Sequence, residues 1–257
     1  MLQFMFLNKI LSKIKRSVLK RFYILFNLHK KTIIFKNDIL LDLDLREKID
    51  RFIYFNKTYE DELLNKSLSL IKNNNIKYFF DIGCNFGIYS LYLGKNFKNL
   101  EIFAFDILEN NILRMNEMIK KNNLINISTY PYGLSNKNEE LVAYSDSNNS
   151  SVYRLQKLSN LNYRVEKKVK VKRLDDLFPN IKDVKIFIKI DIENHETYFI
   201  EGARNFLKNN KVIIQIETND EIAKDIELLL EKLDYKIFNQ TDWKWDRYYS
   251  NFETKNE

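Results

Sequence analysis

From residue 76 onward, short apolar runs alternate with stretches of helical periodicity, and acids stand at or beside the ends of several of those runs. Residues 76–82 (IKYFFDI) carry Asp81, residues 101–106 (EIFAFD) end on Asp106, and residues 184–191 (VKIFIKID) end on Asp191. Further strand patterns lie at 126–131, 212–217 and 235–238, with helical patterns at 88–96, 109–122, 196–208 and 220–233. A chain that alternates β-rich apolar runs with helices has few options other than a doubly wound, mostly parallel, Rossmann-like α/β sheet. Between residues 139 and 173 the alternation breaks, and a Ser/Asn cluster at 145–151 predicts an insertion with a strand or two and a loop. The expected organisation is a basic amphipathic helical extension (1–31), a helical lead-in (32–75), the α/β domain (76–240) and a C-terminal tail (241–257).

Length supports one domain of about 200–250 residues plus an appendage. With 19 Phe and 15 Tyr among 257 residues, the chain has the aromatic content of a packed core rather than a disordered polymer. The net charge of +7 is not spread evenly. Residues 1–31 hold eight Lys or Arg and no acid, which leaves 34 basic against 35 acidic residues in 32–257. On a helical wheel Leu7, Ile10, Leu11, Ile14, Val18, Phe22 and Leu25 share one face, opposite Lys9, Lys13, Arg16 and Lys20. That pattern suits a helix packed on the domain with a solvated basic face. It suits equally an in-plane anchor on an anionic membrane, or a docking helix for a partner protein. The neutral body offers no second basic surface along which to track nucleic acid, so none is expected as a partner.

Cys84 is the single cysteine, so neither an internal disulfide nor a zinc knuckle is expected, and a reducing, cytoplasmic setting fits, with peripheral contact to the inner membrane face as the one addition. No run approaches the ~20 apolar residues of a membrane-spanning helix. Lysines and an arginine interrupt the stretch where the apolar core of a signal peptide would lie.

The most informative stretch is Asp81-Ile82-Gly83-Cys84-Asn85-Phe86-Gly87. A strand ending in an acid runs into a glycine turn and then a helix, where backbone can approach a ligand closely. The G-x-x-x-G spacing is neither the dinucleotide fingerprint nor the phosphate-binding loop, which argues against NAD and ATP. Asp106 closes the next strand, near the offset at which an acid takes ribose hydroxyls in nucleotide-binding α/β folds. A nucleoside ligand bearing an ammonium group for Asp81, such as S-adenosylmethionine, fits both acids; simple helix capping is the competing explanation for each. The second stretch, residues 189–196 (KIDIENHE), places Asp191, Glu193 and His195 at the end of a strand, where they could deprotonate a hydroxyl, orient a sugar or hold a divalent ion. Glu196 and Asn194 are expected to cap. A two-histidine metal site would need remote His29, and none is expected.

These blocks, together with GLS at 133–135, RLDDL at 173–177, EGA at 201–203 and IIQIE at 213–217, come in the order of the FkbM family. The resemblance spans about residues 76–240. It implies a class I S-adenosylmethionine-dependent O-methyltransferase acting on a sugar or polyketide hydroxyl, in bacteria often within surface-glycan pathways. On this chain the resemblance puts Asp81, Gly83, Asn85 and Gly87 along the methionine end of the cofactor and Asp106 on its ribose. Ile107 replaces the proline usual in the family, and Asn194 stands where glycine is usual. If that position needs positive φ, asparagine is the best substitute. Asp191, Glu193 and His195 are the candidate catalytic groups, with a divalent ion at Asp191 compatible but not required. The N-terminal segment lies outside the resemblance. Two other readings remain: an RNA or protein methyltransferase on the same fold, and a non-enzymatic, membrane-associated scaffold with a vestigial cofactor fold. The aromatic tail (Trp243, Trp245, Tyr248, Tyr249) could stack on sugar faces or pack as a terminal strand.

Overall fold

The computed structural model describes Leu19, Arg21, Tyr23, residues 25–145, 153–157, Tyr163, 165–240 and 245–255, without the side chains of Asn239 and Gln240. The chain divides into two compact units, Met1–Glu60 and Asp61–Glu257.

In the first unit, β1 (Lys30–Phe35) and β2 (Ile39–Asp44) form an antiparallel hairpin, followed by α1 (Lys48–Asn56). The lead-in from residue 32, expected to be helical, therefore begins with strands. The physical reason is visible in β2, where strict alternation buries Ile39, Leu41 and Leu43 and leaves the residues between them half-buried. The buried Asp50 carboxylate accepts the Asp44 amide at 2.6 Å and ties the helix to the hairpin. Most of the basic amphipathic helix, residues 1–18, lies outside the described residues. Just beyond it Leu25 is 80% exposed, and Phe26 and Leu28 are also exposed.

The second unit is the expected α/β fold. Its strands are β3 (Tyr78–Ile82), β4 (Glu101–Phe105), β5 (Ile127–Tyr130), β9 (Lys185–Ile190), β10 (Lys211–Glu217), β11 (Lys236–Gln240) and β12 (Asp246–Ser250), in the spatial order β11-β12-β10-β9-β3-β4-β5. Five neighbouring strands, β10 to β5, run parallel, whereas β12 lies antiparallel between β10 and β11. The residues read as a tail thus supply a sheet strand. Tyr248 and Tyr249 are buried in it, which removes both from any sugar-stacking role. Trp245 is exposed at the strand's start, and Trp243 lies outside the described residues.

The helices are α2 (Asp61–Asn74), α3 (Ile88–Asn96), α4 (Glu109–Lys121), α5 (Leu174–Leu177), α6 (Glu196–Gly202), α7 (Arg204–Lys208) and α8 (Ala223–Glu231). The single helix expected at 196–208 breaks at Ala203. Its second half starts where the Asp175 carboxylate accepts the Asn205 and Phe206 amides, which is the work of the RLDDL block. In the insertion, β6 (Gly133–Leu134), β7 (Glu139–Ser145) and β8 (Val165–Lys172) make a separate three-stranded sheet. The Ser/Asn loop lies, apart from Ser145, outside the described residues.

Phe80 is the hub of the main core. Its ring lies 4.9 Å from Phe103, 5.1 Å from Phe206 and 5.2 Å from Phe178, joining two strands to the helices above them. Removing that ring leaves a large cavity that rigid strands cannot close. Phe80→Ala is expected to cost about 3–5 kcal/mol, read as a lower midpoint in urea denaturation.

Candidate active site

The chain leaves β3 towards β4 and β5 on one side, then returns to β9 and β10 on the other. The switch of direction falls between β3 and β9, and the crevice at the carboxyl ends of these two strands is where open α/β sheets bind ligands. Both chemistry-bearing stretches of the sequence meet there.

On the β3 side, Gly83, Asn85 and Gly87 all have positive φ (+80°, +52° and +85°). Gly83 cannot be anything else, since a Cβ there would fall 1.9 Å from the Asp191 carbonyl oxygen of the neighbouring strand end. The Asp106 carboxylate braces the turn, accepting the Asn85 amide at 2.9 Å, the Leu108 amide at 2.7 Å and the Asn111 Nδ2 at 3.2 Å. Burial pushes its pKa up to about 7 against the pull of those donors. Oδ2, bonded once, keeps acceptor capacity for a ligand hydroxyl. The turn spends most of its own amides internally, with Gly83 and Cys84 both donating to Phe105 and Gly87 to Cys84.

Asp81 lies deeper than its position as a ligand contact suggested. Its carboxylate is buried, accepts the Ser90 hydroxyl at 2.6 Å, and faces the Lys189 ammonium that partly offsets the rise in its pKa caused by burial.

On the β9 side, the side chains of the acidic block part company. Lys189 Nζ donates to Asp191 Oδ2 at 3.2 Å and sits 4.9 Å from the centre of the Tyr89 ring. Burial raises the Asp191 pKa, but the Lys189 ammonium and a hydrogen bond from Glu217 outweigh it, and Asp191 is held below the ordinary carboxylate range. Glu193 reaches out of the turn to Arg154 Nη2 of the insertion at 2.6 Å. His195 does not join the open face. It is buried, with Nε2 2.9 Å from Ser135 Oγ and its ring stacked on Tyr198 at 4.7 Å. Burial lowers its pKa to about 4, which favours the neutral ring.

Asn194 has φ +76°, the left-handed conformation for which asparagine is the best replacement for glycine. Glu196 accepts the Ile192 and Asn194 amides at 3.3 Å and so holds the turn from beneath. The GLS and EGA blocks belong to this support too. A Cβ on Gly202 would lie 1.9 Å from the Ser135 carbonyl oxygen, and Glu201 accepts the Asn136 Nδ2 at 2.8 Å.

Sequence reasoning missed Glu217, Lys189 and Arg154. Glu217 ends β10 one strand over from Asp191, and the charge of Asp191, then burial, pushes its pKa up to about 9. The alignment of two parallel strand ends, each finishing in an acid, was the signal that could have found it. Among the described residues no group of three or more His, Cys, Asp or Glu side chains is arranged to hold a metal ion.

Burial raises the pKa of Glu196 to about 7, so folding favours its protonated form between the unfolded value near 4.5 and that figure. Its contribution to stability is therefore present below pH 4.5 and lost as pH rises towards 7. Glu196→Gln keeps the acceptor oxygen without the charge. Its urea midpoint is expected to match that of the parent near pH 5 and to exceed it by pH 8.

The solved structures most similar to this chain include several methyltransferases. The methyltransferase FkbM from Methylobacillus flagellatus KT is 17% identical, with a TM-score of 0.48 over 68% of this chain and 43% of its own, so this chain spans less than half its length. Precorrin-6y C5,15-methyltransferase from Geobacter metallireducens GS-15 is 14% identical, with a TM-score of 0.44 over 75% of this chain and 87% of that one. M. jannaschii TYW2, solved in complex with AdoMet, is 13% identical, with a TM-score of 0.47 over 86% and 84%. No curated protein sequence is a significant match. The family model of the methyltransferase FkbM domain matches residues 81–237, from the acid before the glycine turn to the penultimate sheet strand in the chain, which is more than half of the sequence. The chain belongs to the FkbM methyltransferase family.

Proposed function

We propose that the protein transfers a methyl group from S-adenosylmethionine to a hydroxyl, with a sugar of a bacterial surface glycan or its precursor as the acceptor. The observation that carries the reading is the pairing of Asp106 with the left-handed turn at the switch point. This carboxylate has one oxygen with acceptor capacity to spare beside a turn of positive-φ residues, a combination that suits a ribose diol. The residues present fit the cofactor on that ground: Asp106 would hold the ribose, and the turn from Gly83 to Gly87 would pass beneath the methionine end. When bound, S-adenosylmethionine supplies an electrophilic methyl group on a sulfonium.

With the nucleoside over β3 and β4, the acceptor falls to the β9 and β10 side. The groups there are Asp191 and Glu193, which accept hydrogen bonds, and Glu217, which accepts once it is ionised. A polyhydroxylated acceptor donates to such groups, whereas an anionic one is repelled, which favours sugar hydroxyls over phosphate or carboxylate at the reaction centre. Asp191, ionised beside Lys189, orients the acceptor by accepting a hydrogen bond from a hydroxyl next to the reacting one. Arg154 draws Glu193 towards the insertion and so fixes one wall of the acceptor side.

Calorimetric titration with S-adenosylhomocysteine tests the cofactor half. Micromolar binding is expected, weakened about 10- to 100-fold in Asp106→Asn, which loses a charge-assisted acceptor. Absence of binding to the folded full chain would end this reading.

The first 31 residues are proposed as a contact for an anionic membrane surface. Support comes from eight basic residues without an acid, with exposed Leu25, Phe26 and Leu28 among them. The chain is expected to sediment with vesicles of phosphatidylglycerol and phosphatidylcholine, and to stay in solution with phosphatidylcholine alone or after deletion of residues 1–24.

A further inference from the structure

Methyl transfer to a hydroxyl releases a proton, and a group with matched basicity must receive it. None of the three candidates drawn from the sequence suits the task. Asp191 is ion-paired to Lys189 at 3.2 Å, Glu193 is ion-paired to Arg154 at 2.6 Å, and the His195 ring is buried against Ser135 and Tyr198. Glu217 is an exposed carboxyl at the same crevice. It is the last residue of β10, and the register Ile216 to Ile190 sets it beside Asp191 at the end of β9.

We propose that Glu217 is the general base, receiving the acceptor hydroxyl's proton at the end of β10, beside Asp191 at the end of β9. The proposal rests on the methyltransferase reading above.

The charged groups around Glu217 support that division of labour. From β9 come Asp191 and Lys189, and Lys189 is bonded to Asp191. From β12 comes Asp246, paired with Glu217 in the strand register, with its Oδ1 accepting Gln215 Nε2 at 2.9 Å. The next residue, Arg247, lies 3.8 Å from Glu227. Glu217 therefore faces two carboxylates, while the Lys189 ammonium that acts on it is bonded to one of them, and a further ammonium, Lys66, lies over the Tyr248 ring of β12 at 4.1 Å. The proton affinity of Glu217 rises for that reason, and it forms a hydrogen bond with Asp191 while protonated.

In the reacting state Glu217 is ionised. A lone pair of the hydroxyl oxygen forms the new C–O bond as the S–C bond breaks, and that bond's electron pair stays on sulfur, converting the sulfonium to a neutral thioether. The hydroxyl proton passes to Glu217 and from there to water. The rate is expected to rise with pH as Glu217 loses its proton, which is the sign for a base that must be ionised to act.

The test uses the full-length chain labelled with carboxyl-13C glutamate. Glu217→Gln identifies the Glu217 signal by its loss. This signal is expected to titrate well above the usual glutamate range, and to move back towards that range in Asp191→Asn. Transfer of a deuterated methyl group from S-adenosylmethionine to a panel of methyl hexosides and 6-deoxyhexosides gives the second readout. There Glu217→Gln is expected to lose about 10²- to 10⁴-fold in kcat with unchanged S-adenosylhomocysteine binding. A Glu217 signal in the ordinary range overturns the proposal, whether or not any glycoside turns over, and so does a Glu217→Gln variant within threefold of the parent. Both results leave the cofactor reading standing if S-adenosylhomocysteine binds. Failure of the parent chain to bind it sinks that reading, and the base with it.

Discussion

The crevice is organised around one buried ammonium. Lys189 sits mid-sheet at the end of β9, 3.2 Å from Asp191 and facing Asp81, with the Tyr89 ring 4.9 Å away. A lysine so placed is costly unless its charge is met, and two carboxylates at adjacent strand ends meet it. The ammonium in turn lowers the pKa of Asp191 and offsets part of the rise that burial causes at Asp81. This one charge lets β3 and β9 both end in acids at the point where the sheet reverses direction, and it holds Asp191 ionised. Glu217, one strand further, then faces a fixed negative charge. The electrostatic order of the crevice, from a nearly sealed Asp81 to an exposed and proton-retaining Glu217, follows from the placement of Lys189.

A second constraint is mechanical. The turn after β9 must pass close enough to the turn after β3 that only glycine fits at position 83, because the Asp191 carbonyl occupies the space of a side chain. The chain then bends through Glu193 and Asn194, both with positive φ, before α6 begins. Left-handed residues cost free energy that must be recovered nearby. Here Glu196 accepts two amides of the turn, and Asn219 donates to the Asn194 side chain. The departure from the family pattern at position 194 is thus absorbed locally. The motif blocks that do not touch the crevice, GLS, RLDDL and EGA, interlock behind it through Gly202 against Ser135 and Asp175 at the start of α7.

Much of this was legible in the order of residues. Apolar runs such as IKYFFDI and VKIFIKID can only be buried strands, so the parallel sheet and the acids at its edge followed from period and composition. The glycines at 83 and 87 marked a turn where backbone passes close to a ligand, and the asparagine at 194 suited a left-handed position if the family's glycine needed one. The hairpin at 30–44 was not legible as such, because its alternation is short and flanked by helical patterns. The tail's strand was equally ambiguous: DRYYS packs as a strand only because the sheet edge offers β10 and β11 as partners on both sides. Residues that alternate in sequence were expected to share a face, yet Glu193 and His195 diverge once the backbone turns left-handed after Asp191.

Sequence by itself determined where the chain crosses the sheet, where a glycine turn follows the first parallel strand, and that Asp81, Asp106 and Asp191 stand at strand ends, since each of these depends on local pattern. Tertiary structure alone decided which of those acids stays charged, which is sealed, and which keeps a proton. Proton affinity depends on burial and on the nearest charge, and the neighbours that set it here, Lys189 for Asp81, Asp191 for Glu217 and Arg154 for Glu193, lie on other strands or in the insertion or, like Lys189 and Asp191, are paired through a shared position at the sheet's reversal.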